Sequence, residues 1–391
     1  MKPLDRISEF HTDITEWRRD IHAHPELGFE ENRTADLVAE KLNEFGIDVH
    51  RGLGTTGVVG TLRVGNNPTA IGLRADMDAL PILEANEFDH KSVHNGKMHA
   101  CGHDGHTAML LGAARYLAET KVFDGCVHFI FQPAEEGLGG AKAMVEEGLF
   151  EQFPMEAVFG MHNRPGLPIG QFAIRSGPTM AGGAFFDILI DGKGAHGARP
   201  ESGVDPVLVA AHITTALQSI VSRNVRPVEG VVISVTQMHS GDAYNVIPQT
   251  ATLSGTVRAF SKENMALAES RMREIASGVA TAFGATASLD FRINFLPLVN
   301  TPEEADFAAD TAAELVGDEK MERHGPLIMA SEDFSYMLDA CPGAYINIGN
   351  GDGEGACEVH NPGYDFNDDA LALGASYYAR LVERRLAKEA A

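Results

Sequence analysis

Apolar positions in the first half of the chain recur first at helical spacing and then in short continuous runs. Two amphipathic helices are predicted, one over 7–22 that ends before Pro25 and one over 33–45 that Gly46 closes. Buried strands are predicted next at 69–75, 126–131 and 157–161, alternating with helices at 106–119 and 140–150. Strands that alternate with helices predict a mostly parallel sheet covered by helices on both faces.

The pattern changes in the middle of the chain. It predicts, in order, a strand at 185–191, a helix at 206–222, strands at 230–238 and 250–260, a helix at 262–283 and a strand at 287–295. This β-α-β-β-α-β order is typical of a ferredoxin-like unit. Afterwards the alternation resumes with a helix at 303–315, a strand at 344–348 and a closing helix at 369–388.

We therefore predict an α/β protein with an interrupted main domain. A mixed, mostly parallel sheet would form the catalytic domain from 1–182 plus 296–391. A ferredoxin-like α+β lid would be inserted at 183–295. A length of 391 residues fits two domains better than one.

Composition narrows the classes of partner. The formal net charge of −24 argues against nucleic acid or an anionic membrane as a partner. The chain opens on polar sequence and has no apolar run of 18 residues, so we expect a cytoplasmic protein without a membrane span. Four cysteines in so long a chain predict no disulfide framework, and any that matter should act as thiolates.

Side chains that ligate metals follow several of the predicted strands. Glu135 and Glu136 follow the strand at 126–131, and His162 follows the strand at 157–161. His360 comes after a glycine-rich turn behind the strand at 344–348, and the segment at 99–106 adds a thiol and several imidazoles before a helix. Ligands of open α/β sheets bind at the carboxyl ends of the strands, so these groups could converge on a transition metal.

Structural roles explain each of these segments equally well when it is taken alone. A Glu-Glu pair after a strand commonly begins a helix, where the dipole favours carboxylates. A single histidine after a strand is usually a surface polar residue. Spacing alone therefore leaves a metal site and an ordinary set of polar residues both open. The chain has neither H-E-x-x-H nor G-x-S-x-G, which disfavours zincins and serine hydrolases.

A series of motifs in a fixed order carries a family resemblance. They lie at 18–28 (RRDIHAHPELG), 74–81 (RADMDALP), 99–106 (HACGHDGH), 132–136 (QPAEE), 160–162 (GMH), 245–248 (NVIP), 331–334 (SEDF) and 359–362 (VHNP). Together they resemble the peptidase M20 family, specifically its M20D branch of hippurate hydrolases and related N-acyl-amino acid amidohydrolases. The resemblance covers essentially the whole chain.

The resemblance implies two divalent metal ions, which could be Mn²⁺, Zn²⁺, Co²⁺ or Ni²⁺. It implies a thiolate that bridges them and four further ligands, namely Cys101 as the bridge with His103, Glu136, His162 and His360. The wider family has a histidine where this chain has Asp76, so no metal role is carried to that position. Asp78 would orient a ligand. Cys357, three residues before His360, is a rival ligand.

The resemblance also assigns roles in catalysis. Glu135 would be the general base, since one carboxylate of the pair can bind metal while the other takes a proton. In the lid, His196 would stabilise the oxyanion, and Asn245 and Arg258 would contact the substrate. Arg258 suits a bidentate grip on a carboxylate, although a structural ion pair explains a strand arginine equally well.

The implied activity is hydrolysis of the amide bond of N-acyl-amino acids, which releases a carboxylate and a free amino acid. A dipeptidase or carboxypeptidase of the same family and an N-acetyldiaminopimelate deacetylase remain alternatives. A binding protein without catalysis is disfavoured because Glu135 and all five ligand candidates are present. The resemblance further implies a homodimer or homotetramer.

Overall fold

A computed structural model describes residues 3–353 and 357–388. The chain forms two compact units. The first comprises Met1–Gly177, Val299–Pro326 and Asp333–Ala391, and the second comprises Pro178–Leu298 and Leu327–Glu332. The predicted lid, 183–295, lies within the second unit, which also takes in the short segment 327–332.

The first unit alternates helices and strands from its beginning. Up to the second unit these are α1 (Asp5–Glu9), α2 (His11–Ala23), α3 (Asn32–Glu44), β1 (Asp48–Leu53), β2 (Gly57–Val64), β3 (Ala70–Asp76), α4 (His103–Thr120), β4 (Gly125–Gln132), α5 (Gly140–Glu146), α6 (Leu149–Gln152), β5 (Ala157–Arg164) and β6 (Phe172–Ala173). The chain then enters the second unit through β7 (Gly177–Met180).

The second unit contains β8 (Gly182–Asp191), β9 (Ala195–His196), α7 (Pro206–Arg223), β10 (Val231–His239), β11 (Val246–Ile247), β12 (Thr250–Ala259), α8 (Lys262–Ala282) and β13 (Thr286–Phe295). After β14 (Leu298–Asn300), the first unit resumes with α9 (Pro302–Val316), β15 (Met321–Glu322), α10 (Ser335–Ala340), β16 (Gly343–Gly349) and α11 (Leu371–Arg385).

A mixed sheet forms the centre of the first unit. In the described residues its eight strands run in the order β1-β2-β4-β3-β5-β16-β6-β15. The neighbours β4, β3, β5 and β16 are parallel, which confirms the mostly parallel sheet at the centre. Every position of β3 and β4 is buried, as expected for strands covered on both faces. Helix α4 is buried along nearly its whole length and packs against β3, α2 and α11.

The second unit is an antiparallel sheet with helices. Its four long strands run in the order β10-β12-β8-β13, and α7 and α8 contribute apolar side chains to the same core. Asp205 caps α7 by accepting from the amides of Val207 and Leu208, and Ser261 caps α8 through the amide of Asn264. The strand order and the β-α-β-β-α-β sequence of elements are those of a ferredoxin-like unit.

Two helices were predicted as continuous, and this prediction was wrong because each is divided into two. The helix expected over 7–22 is divided into α1 and α2 at Phe10, a buried residue whose φ of −111° is not helical. The helix expected over 140–150 is divided into α5 and α6, because Gly148 adopts a φ of +92°. Within 3–353 and 357–388, no helix has both the length and the apolar character needed to cross a bilayer.

Candidate metal centre

The candidate ligands meet at the carboxyl ends of the parallel strands. Strand β4 ends at Gln132, and the turn that follows carries Glu135 and Glu136. His162 lies inside β5 rather than after it, because that strand continues to Arg164. Cys101 precedes α4, and His103 is the first residue of that helix.

One set of ligand atoms combines the thiol with two imidazoles, and we call it the His162 group. The ligand atoms of Cys101, His103 and His162 all lie within 4.8 Å of one another. Cys101 Sγ is 3.4 Å from His162 Nε2. All three side chains lie in or near the buried interior of the first unit.

A second set, the His360 group, contains the same thiol. The ligand atoms of Cys101, Glu136 and His360 also lie within 4.8 Å of one another. His360 Nε2 is 3.2 Å from Glu136 Oε1, and the His360 side chain is half exposed. The backbone of His360 has a φ of +65°, and its amide donates to the carbonyl of Ala100 at 2.7 Å. Cys101 is therefore shared by the two groups.

Hydrogen bonds orient both imidazoles of the His162 group. His103 Nδ1 donates to the carbonyl of Asp78 at 2.8 Å, and Asp78 Oδ1 lies 3.2 Å from the same nitrogen. His162 Nδ1 donates to the carbonyl of Asn163 at 2.6 Å. In each ring this leaves Nε2 as the nitrogen that can offer a lone pair to a metal. Asp78 also holds the second group, because its Oδ2 accepts from the Glu136 amide at 2.9 Å.

The donor set fits divalent cations. Nε2 of His103 is buried and makes no hydrogen bond within the described residues, although buried polar atoms normally have partners. Burial, followed by the charge of Glu136, raises the pKa of the Cys101 thiol well above its usual value. A cation close to the sulfur reverses that effect and favours the thiolate. Burial also lowers the pKa of His162, which favours the neutral imidazole that binds a metal.

Glu135 lies beside both sets of ligands. A carboxylate oxygen of Glu135 lies within 4.8 Å of the ligand atoms of His103 and Glu136, and the Glu135 side chain is buried. Glu135 Oε1 accepts from the amide of Asp333 at 3.2 Å. The Asp333 carboxylate in turn accepts from Gln132 Nε2 at 2.7 Å and from the amide of Ala141 at 2.9 Å. Sequence reasoning gave Asp333 no role, because 198 positions separate it from Glu135 and no local pattern joins them.

Asp76 takes part in a buried polar chain behind the ligands. Its Oδ1 lies 2.6 Å from His106 Nδ1, and its Oδ2 accepts from Arg74 at 2.7 Å. His106 Nε2 lies 2.7 Å from Asn163 Oδ1, which connects this chain to the residue that orients His162. The spacing of His103 and His106, three residues apart on a helix, is the sequence signal that places both rings on one face.

The rival ligand Cys357 belongs to no group of three ligand atoms within the described residues. It packs instead against a small buried cluster of Met98, Ala100 and Tyr364.

The three lid candidates all lie in the second unit. His196 is in β9, whose pairing with β11 places it opposite Val246, directly after Asn245. The amide of Gly197 donates to the carbonyl of Asn245 at 2.7 Å, so His196 and Asn245 lie close together on an exposed ribbon. Arg258 lies in β12, and within the described residues it makes no ion pair, while burial lowers its pKa.

Comparisons with known proteins agree over nearly the whole chain. Residues 72–384 match peptidase family M20/M25/M40. Hippurate hydrolase of Campylobacter jejuni is 44% identical over 99% of this chain and 100% of its own length. N-acetylcysteine deacetylase of Bacillus subtilis is 37% identical over 95% of this chain and 97% of its own.

Solved structures lead to the same family. The crystal structure of the YXEP protein of Bacillus subtilis, a dinuclear metal binding peptidase from the M20 family, superposes with a TM-score of 0.85. The two chains are 34% identical, and the match covers 97% of this chain and 99% of the other. These similarities confirm the resemblance in the motifs, and the chain belongs to peptidase family M20.

Proposed function

We propose that this protein catalyses the metal-dependent hydrolysis of the amide bond of N-acyl-amino acids, releasing a carboxylate and a free amino acid. The observation that carries the proposal is the sharing of Cys101 by two groups of ligand atoms, with buried Glu135 beside them. Hippurate and N-acetylcysteine, the compounds in the names of two relatives, are both N-acylated amino acids, which supports this substrate class.

The two groups would hold two divalent cations, and Cys101 would be a ligand in both groups. The thiolate and the Glu136 carboxylate provide negative charge, and His103, His162 and His360 complete the set. When bound, such ions polarise the scissile carbonyl and lower the pKa of water. Mn²⁺, Zn²⁺, Co²⁺ and Ni²⁺ all suit thiolate, imidazole and carboxylate ligands, and availability selects among them.

Glu135 would act as the general base. Its carboxylate takes a proton from the water that attacks the acyl carbon and delivers that proton to the nitrogen of the departing amino acid. The water oxygen stays with the acyl group, so the products are a carboxylate and a free amine. The Asp333 amide, 3.2 Å from Oε1, would keep the carboxylate in one orientation during both transfers.

The lid residues would serve the oxyanion and the amino-acid half of the substrate. We assign the oxyanion to His196, a suitable donor, and substrate contact to Asn245. Arg258 has a guanidinium without an ion-pair partner in the described residues, which supports a grip on the carboxylate of the substrate. A homodimer or homotetramer in the cytoplasm is part of the same proposal.

Hydrolysis of a small panel by metal-reconstituted protein tests the activity. The panel holds N-acetyl and N-benzoyl amino acids, N-acetyldiaminopimelate and simple dipeptides, with chelator-treated protein and Glu135→Ala as controls. We expect metal-dependent cleavage of N-acyl-amino acids that Glu135→Ala abolishes. Preferred cleavage of dipeptides or of N-acetyldiaminopimelate would replace the substrate class with one of the two alternatives. No cleavage by protein with its metals bound would contradict the proposal.

A further inference from the structure

The turn that presents Glu135 and Glu136 has an unusual backbone. Ala134, directly before the pair, has a φ of +53°, in the left-handed region that residues with a Cβ rarely adopt. Such a conformation persists only where surrounding contacts determine it.

Two buried carboxylates hold the turn through its amides. The amide of Glu136 donates to Asp78 Oδ2 at 2.9 Å, and the amide of Ala134 donates to Glu31 Oε1 at 2.8 Å. On its other side, Glu31 accepts a hydrogen bond from Thr56 Oγ1 at 2.5 Å. The amides of the residues directly before and after Glu135 are thus each bonded to a carboxylate outside the turn.

Glu31 is an unexpected residue to find in this position. It is fully buried, and burial raises the pKa of its carboxyl group to about 7. It stands at the N-terminus of α3, where its side chain could cap its own helix, yet it makes no such bond. Its side chain is directed to the Ala134 amide instead, which gives that amide a partner at the cost of burying a carboxyl group.

We propose that Glu31 is a positioning residue for the reaction: its bond to the Ala134 amide fixes the backbone from which Glu135 and Glu136 project. The inference rests on the proposed function, in which one of these carboxylates moves a proton and the other binds metal. Without the bond, the left-handed conformation at Ala134 loses a determining contact, and the backbone that carries both carboxylates is held less firmly.

The chemistry of the bond suggests a pair of informative variants. In Glu31→Gln, the amide oxygen can accept from Ala134 and the amide nitrogen can donate to the Thr56 hydroxyl, so the geometry survives. In Glu31→Ala, the acceptor is gone and the Ala134 amide is left buried and unpaired. Glu304→Ala is the matched control, because Glu304 is also buried and bonded to Arg385, at 2.7 Å, but does not contact the turn.

The experiment compares these variants as full-length, metal-reconstituted protein. For each we would measure kcat and KM on an N-acyl-amino acid, Co²⁺ affinity by chelator competition, and the thermal unfolding temperature. In Glu31→Ala we expect kcat at saturating metal to fall about 10- to 100-fold and Co²⁺ affinity to weaken about 10- to 100-fold, with KM within about 3-fold. Glu31→Gln should stay within about 3-fold of wild type, and Glu304→Ala should lower only the unfolding temperature.

Two results would overturn the inference. One is a Glu31→Ala variant with wild-type kcat and Co²⁺ affinity, and the other is equal loss in Glu31→Gln and Glu31→Ala. If Glu31→Ala does not fold, Thr56→Val removes the hydroxyl that holds Glu31, and it should lower kcat and Co²⁺ affinity by a smaller factor. Unchanged values in Thr56→Val would then contradict the inference. Because Co²⁺ affinity needs no substrate, its loss in Glu31→Ala would support this role even if the wild type hydrolysed nothing.

Discussion

Two thiol–imidazole pairs lie in the first unit, and only one of them belongs to a candidate metal centre. Cys101 Sγ is 3.4 Å from His162 Nε2 at the carboxyl ends of the parallel strands. Cys126 Sγ is 3.8 Å from His128 Nε2 in β4, where both residues line a cavity of about 470 Å³. Both thiols are buried, so burial does not distinguish the two pairs.

The surroundings of the two pairs do distinguish them. The Cys101 sulfur has the carboxylate of Glu136 and three imidazoles within 4.8 Å, those of His103, His162 and His360. The charge that acts on the pKa of the Cys126 thiol is that of Arg63, a cation, and His128 Nδ1 lies 3.0 Å from Thr61 Oγ1. In the described part of the chain, the Cys126 pair gathers no third ligand atom. A metal centre therefore depends on convergent negative charge, which a nearby thiol and imidazole alone do not provide.

We expect the greatest loss of metal and activity when the Cys101 thiol is removed, with removal of the Cys126 thiol as the comparison. Cys101→Ala should lose bound metal and amide hydrolysis to background, because both ligand groups depend on this sulfur. Cys126→Ala should keep its activity within about twofold and lose roughly 1 kcal/mol of stability from the deleted buried atom. Metal content by elemental analysis and hydrolysis rates decide the outcome. Equal loss of metal in both variants would remove the distinction between the two pairs.

The next largest difference in kcat is expected between variants of two carboxylates, Glu135 near the first pair and Glu156 near the second. Glu135→Gln should lower kcat by about 10²- to 10⁴-fold while both metals stay bound, because it removes the proposed base but no proposed ligand. Glu156→Gln, which alters a carboxylate lining the cavity near Cys126, should leave kcat unchanged. Steady-state kinetics with metal analysis on the same samples would check this. Loss of metal from Glu135→Gln would instead make Glu135 a ligand.

Removal of metal by a chelator should lower the free energy of unfolding only in proteins that keep the Cys101 thiol. Metal at about 1,000 times its Kd stabilises a protein that binds it only when folded by about 4 kcal/mol. Denaturant unfolding with and without chelator should show this difference in the wild type and in Cys126→Ala, but not in Cys101→Ala. A chelator effect that survives in Cys101→Ala would place the metal elsewhere.

The smallest effect concerns acid stability at the second pair. Burial, followed by the charge of Arg63, lowers the pKa of His128 to about 4, below the ordinary value of about 6.5 in an unfolded chain. Between these values the unfolded state binds more protons, so this contribution is present above pH 6.5 and is lost as the pH falls towards 4. Its size is up to about 3 kcal/mol. His128→Gln should flatten this part of the stability curve, whereas His94→Gln, at an exposed site, should leave it as steep as in the wild type.

The ligand candidates could be found in the sequence because the end of a buried strand is visible in a short stretch of neighbouring residues. The apolar run before Gln132 and the run before His162 are visible in the sequence, and parallel strands align their carboxyl ends. The ferredoxin-like order was equally visible in the periodicity of the middle region. The ribbon of β9 and β11 was not, because strands of two residues have no period to detect.

Other features depend on contacts between distant segments. The bond from Glu31 to the Ala134 amide spans 103 positions, and it exists because one backbone conformation turns that amide towards a buried carboxylate. The break between α1 and α2 similarly reflects burial of Phe10 in the core, where packing outweighs helical periodicity. Neither leaves a pattern in neighbouring residues.

The shared sulfur also determines how a population of these molecules would age. His162 and His360 each belong to one of the two ligand groups, whereas Cys101 belongs to both. Oxidation carries cysteine sulfur to sulfinic and sulfonic acids, steps that are essentially irreversible. A single oxidised atom would therefore remove both groups at once. An ageing sample should then hold intact and inactive molecules side by side, with its total activity falling while the KM of the remaining activity stays constant.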